Sequence, residues 1–72
     1  QTSVKDWEEK IGVPENWVYV LRKAGFNLIS DIRAQKAQGL QQKMLEINKK
    51  YKLNYEKPSV EEIQQWIDKA QA

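Results

Sequence analysis

The chain has 72 residues, with twelve Lys or Arg, ten Asp or Glu, no His and no Cys. That arithmetic excludes a disulfide framework, thiolate and imidazole chemistry and the usual zinc sites, and with them the common cofactor-free catalytic sets. A chain this short makes one domain with one core, burying about 60% of the surface its unfolded form exposes.

The net charge of +2 conceals a gradient. Over residues 1 to 15, two lysines face four carboxylates, a net of −2. Over residues 16 to 57, nine cations face three carboxylates, a net of +6, and over residues 58 to 72 one lysine faces three, again −2. A sign change of this size bears on partners more than on fold.

Ser3 followed three residues later by Asp6 predicts a short first helix over about residues 4 to 10, with Trp7 and Ile11 inward. Gly12 breaks it, and Pro14 suits the first turn of a second helix, where its missing N–H costs nothing. In that helix Trp17, Val20, Leu21 and Ala24 form one apolar face, and Gly25 ends it with a positive φ. Asn27 reads as the N-cap of a third helix over about 28 to 36 that projects Ile29 and Ile32 into the core.

Gly39 marks where that helix stops or bends. Leu40, Met44, Ile47 and Tyr51 define the inward stripe of the longest helix, about 38 to 51. Residues 52 to 58 read as a loop anchored by Leu53 and Tyr55. Ser59 then caps a final helix, with Glu62 three residues on to complete a capping box. Val60, Ile63, Ile67 and Ala70 face inward there, and Trp66 sits at the stripe's exposed edge. The expected fold is all-α, a compact bundle of about five short helices.

Three segments carry a resemblance: residues 24–32 (AGFNLISDI), 40–53 (LQQKMLEINKKYKL) and 58–70 (PSVEEIQQWIDKA). The first resembles the second half of a helix-hairpin-helix unit. The other two resemble the tail of a bacterial domain family of unknown function built on such units, in which a Leu, a Glu-x-Asn, a Lys-rich turn, a Pro-Ser cap and a closing Trp-Ile recur in order. The likeness covers about residues 12 to 70. It implies a SAM-like bundle and kinship with units that bind DNA without sequence preference, holding phosphate on the amides of a Gly-hydrophobic-Gly hairpin. In this chain that hairpin reads Ile11-Gly12-Val13-Pro14. Val13 hinders close approach and Pro14 has no N–H to offer.

Two basic clusters are the candidate nucleic-acid site. Lys49, Lys50 and Lys52, interleaved with Tyr51 and Tyr55, end the longest helix; there lysines serve the negative helix end as readily as a phosphate, and Tyr51 reads as core. Arg22 and Lys23 before Gly25, with Arg33 and Lys36 after it, flank one turn if helices two and three pack antiparallel. Trp7 and Trp17 read as core, and Trp66 as a partly exposed indole. Glu8-Glu9 and Glu61-Glu62 diverge by about 100° on a helix and form no acid–base pair.

The expected function is therefore a non-catalytic helix-hairpin-helix module that binds nucleic acid weakly and without sequence specificity. The alternative is a SAM-like protein-interaction or spacer domain within a larger protein. No cofactor, metal or small-molecule substrate is expected. A monomer is expected over an oligomer. No apolar run approaches the roughly 20 residues of a membrane span and no leader resembles a signal peptide, so a cytoplasmic location is expected. The chain opens with Gln1 rather than Met, so a domain excised from a longer protein, or a processed product, is expected.

Overall fold

The computed structural model describes residues 2–72 and is all-helical, with no strand among them. Helix α1 (Val4–Asp6) runs without interruption into a π-helical turn (Trp7–Ile11). It is followed by α2 (Glu15–Lys23), a 3-10 turn (Ile29–Ile32), α3 (Ala37–Lys50) and α4 (Val60–Gln71). The Cα radius of gyration is 10.9 Å, against about 11 Å for a folded unit of this length. Helix α4 packs against α3, the π turn and the 3-10 turn, while α2 packs against α3 and the π turn. Among the described residues no helix is long and apolar enough to cross a membrane.

Local chemistry explains most boundaries. The Ser3 side chain accepts from Asp6 N at 3.1 Å, and Ser59 does the same for Glu62 N at 3.1 Å, so both anticipated hydroxyl caps are formed. Pro14 lies at the N-cap of α2, one residue before the first turn, and its carbonyl accepts from Trp17 N and Val18 N. Trp7, Ile11, Trp17, Val20, Leu21, Ile32, Leu40, Met44, Ile63, Ile67 and Ala70 share one buried cluster. Val13, Val18, Phe26 and Ala37 join it from outside the anticipated stripes.

Three expectations are corrected. The third helix, expected over 28 to 36, is a four-residue 3-10 turn. Its two apolar residues, Ile29 and Ile32, are three apart, the period of a 3-10 helix, and only polar or small residues follow to extend an apolar face. The turn is closed by Asp31, whose Oδ2 accepts from Asn27 N at 2.9 Å and Leu28 N at 2.8 Å. Trp66, expected at an exposed edge, is 5% exposed. It lines a depression of about 350 Å³ with Trp17, Tyr55 and Pro58, because the loop before α4 lies across it. Tyr51, expected in the core, is 47% exposed. It is the C-cap of α3, where the helical path ends, and Leu53 takes the inward position instead.

Long-range ties fasten the irregular segments. Thr2 N donates to Asn27 O at 3.0 Å, Thr2 Oγ1 accepts from Ile29 N at 3.1 Å, and Thr2 O accepts from Arg22 Nη2 at 2.7 Å. The half-buried Asn48 side chain binds the Tyr55 main chain twice: Nδ2 donates to Tyr55 O and Oδ1 accepts from Tyr55 N, both at 3.1 Å. That pair holds the loop against α3 and gives Asn48, within Glu46-Ile47-Asn48, a structural role. Replacing Asn48 by Ala removes both bonds and is expected to cost about 2 kcal/mol. In a thermal melt this corresponds to a fall of roughly 8 to 16 °C.

Candidate nucleic-acid interface

The helix ends decide which polar groups remain open to a ligand. At the first, Gly12 has φ +88°, its N–H donates to Trp7 O and Glu8 O, and Val13 N donates to Trp7 O at 3.1 Å. Val13 itself is fully buried. At the second, Gly25 has φ +99°, Gly25 N donates to Arg22 O and Phe26 N to Leu21 O at 2.8 Å. The next two amides, of Asn27 and Leu28, face the Asp31 carboxylate. The amides of Gly12, Val13, Gly25 and Phe26 are thus bonded to helix carbonyls, and at the second turn a carboxylate already holds the place of an anion.

The eight candidate residues part company in the structure. Arg22 gives its Nη2 to Thr2 O, and Arg33 donates through Nε to Ala70 O at 2.6 Å, meeting a carbonyl at the end of α4. Gln71 Nε2 returns a bond to Arg33 O at 2.9 Å, so both guanidinium groups serve as internal ties. Gly25 shapes the turn. Lys36 is the N-cap of α3, a 14-residue helix about 21 Å long, and so stands a helix length away from Lys49, Lys50 and Lys52.

Of the remaining four, Lys23 and Lys50 meet at Tyr51. Lys23, from the end of α2, places Nζ 4.5 Å from the centre of the Tyr51 ring, and Lys50 Nζ lies 5.7 Å from the same centre. Lys49 and Lys52 line a separate depression of about 670 Å³ with Leu45, Asn48 and Asn54. All four lysines are exposed, and the one ion pair among the described residues, Lys10–Asp6 at 4.0 Å, lies elsewhere. Each helix end contributes about −0.5 charge, so the ends of α2 and α3 offset only about one of the four positive charges. The face remains net positive even with the exposed Glu46 carboxylate, one turn before Lys50 on α3, counted against it.

Two further members escaped the sequence reading. Lys43 sets Nζ 5.4 Å from the Phe26 ring centre, and Tyr19 is 46% exposed with Arg22 Cζ 6.0 Å from its ring centre. Tyr19 was detectable, since it lies off the α2 apolar stripe and one turn before Lys23. The meeting of Lys23 with Tyr51 was not, because it joins residues 28 apart in sequence. The described residues contain no group of three or more His, Cys, Asp or Glu able to hold a metal ion.

Lys52 itself carries strain. It has φ +53° and is the residue just past the α3 cap, with Lys52 N donating to Lys49 O and Leu53 N to Asn48 O at 3.0 Å. That is the Schellman arrangement, which strongly favours glycine at this position. Substituting Lys52→Gly is expected to raise stability by about 1 kcal/mol, shifting the midpoint up by roughly 4 to 8 °C, while weakening any polyanion binding. A melt and a binding titration on the same variant check both halves.

Comparison with known proteins places these features in a family. A family model described as a domain of unknown function, DUF4332, matches residues 6–72. The chain is 40% identical over 65 residues to the lysine–tRNA ligase of Porphyromonas gingivalis strain W83 and 38% identical to that of strain ATCC 33277. In each case the match covers 86% of this chain and 11% of the relative. No solved structure matches.

Proposed function

The chain belongs to the DUF4332 family of domains of unknown function, and from that premise we propose that it is a non-catalytic helix-hairpin-helix module. On this reading it binds nucleic acid weakly and without sequence preference. The observation that carries it is the exposed group formed by Lys23, Lys49, Lys50 and Lys52, unpaired with any carboxylate and gathered where α2 and α3 end. Ammonium groups of this kind neutralise phosphates without reading bases, which yields affinity with little specificity. The mode differs from that of hairpin units that use backbone amides, since here those amides are bonded internally.

The relatives guide the choice of ligand. They are named for ligation of lysine to tRNA, and the matched segment is a small part of their length. An accessory role in holding RNA near a larger protein fits both facts, so RNA is the first polyanion to test. Neither an activated nucleophile nor a general base is available to this segment, and catalysis would belong to whatever it is joined to.

Fluorescence anisotropy with a labelled RNA hairpin tests the reading. Four neutralised phosphates imply that affinity falls about 100-fold between 50 and 200 mM salt. Reversing charge at Lys49→Glu and Lys50→Glu together is expected to cut affinity at 50 mM salt at least tenfold and to reduce the salt slope by about half. Absence of binding at 50 mM salt with tens of micromolar protein would overturn the reading in favour of a protein-interaction or spacer role.

A further inference from the structure

We propose that this basic face distinguishes unpaired from paired nucleic acid, with Tyr51 stacking on an exposed base and Tyr19 offering a second platform beside it. The inference rests on the polyanion reading and adds to it a ligand class, the single strand or open loop. Its starting point is a side chain in an unexpected place. Tyr51 occupies a helical position whose spacing from Leu40, Met44 and Ile47 suits the core, yet almost half its surface is open.

The exposure is built into the fold. Tyr51 caps α3 with its N–H bonded to Ile47 O at 3.0 Å, and the left-handed turn at Lys52 sends Leu53 inward in its place. The ring is thus presented from the end of a 14-residue helix rather than from a mobile tip. Its surroundings are cationic, with Lys23 Nζ at 4.5 Å and Lys50 Nζ at 5.7 Å from the ring centre.

Tyr19 extends the same surface. It is exposed and lies four residues before Lys23 on α2, so the two side chains are neighbours on that helix, about 6 Å apart at Cβ. Lys23 thus lies on the same face as two half-exposed phenol rings that already carry cations, Lys23 and Lys50 over Tyr51 and Arg22 over Tyr19, so a stacking base would have to displace a side-chain cation from the ring it uses. Aromatic, cation, aromatic is the order in which a strand presents base, phosphate, base, and stacking accepts any base because each has a π face. In a duplex those faces are covered by neighbouring pairs, so only the phosphate contacts would remain. The lysines alone would give no such preference.

The test compares three labelled ligands of equal phosphate number at 50 mM salt: a single-stranded 12-mer, a duplex and an abasic strand of the same length. The single strand is expected to bind at least fivefold tighter than the abasic strand. Tyr51→Ala should lower single-strand affinity by roughly five- to 100-fold while lowering abasic and duplex affinity by no more than about twofold. Tyr51→Phe should keep the affinity, since stacking needs the ring and not the hydroxyl. Equal binding of abasic and normal strands, or an unaffected Tyr51→Ala variant, would overturn the stacking proposal and leave phosphate binding standing. Failure of all three ligands to bind would overturn both.

Discussion

The structure depends on how its helices stop. Three of them end at a residue with positive φ, Gly12, Gly25 and Lys52, and each is followed at once by an apolar side chain, Val13, Phe26 and Leu53. The left-handed residue reverses the chain so that the next side chain enters the core while its N–H satisfies a carbonyl of the helix just completed. A chain of this length has one core to share among all its elements, and these turns let the connections contribute to that core. Long unstructured links would cost conformational entropy that so small a core offsets poorly.

The same device determines what the surface can do. It commits the amides of Gly12, Val13, Gly25 and Phe26 to helix carbonyls, and at the second glycine turn Asp31 takes the next two. The cationic side chains divide by chemistry. Both arginines give a directed bond to a main-chain carbonyl, Thr2 and Ala70 respectively, a task suited to a planar fork of donors. The lysines around Tyr51 remain as mobile point charges in water. Stability and charge are in this way assigned to different residues, except at Lys52, which accepts a strained backbone to serve both.

The sequence reading recovered the fold class, both hydroxyl caps and the positive φ at Gly25 because these depend on residues within four positions of one another. It overextended the 3-10 turn, since Asn27 as an N-cap and the Ile29 and Ile32 pair suit a longer helix equally well until Asp31 claims the free amides. It misplaced Tyr51 because α3 ends there and the left-handed turn at Lys52 sends Leu53 inward in its place, and it misplaced Trp66 for a different reason. Whether a residue at a stripe's edge is covered depends on the path of the loop between α3 and α4, and that path is held by Asn48 gripping Tyr55 and by Gln41 Nε2 donating to Pro58 O at 2.9 Å.

By itself the amino-acid sequence determined that this would be an all-helical chain without histidine or cysteine chemistry, basic in its middle and acidic at its ends. Those properties follow from composition and from periodicity along single helices. Which cations are open and which are ties was decided only by tertiary structure. Arg33 meets Ala70 and Lys23 meets Tyr51 across separations of 37 and 28 residues. No local pattern encodes such pairings; they arise when packing brings α2, α3 and α4 to their final angles, and they make the candidate surface.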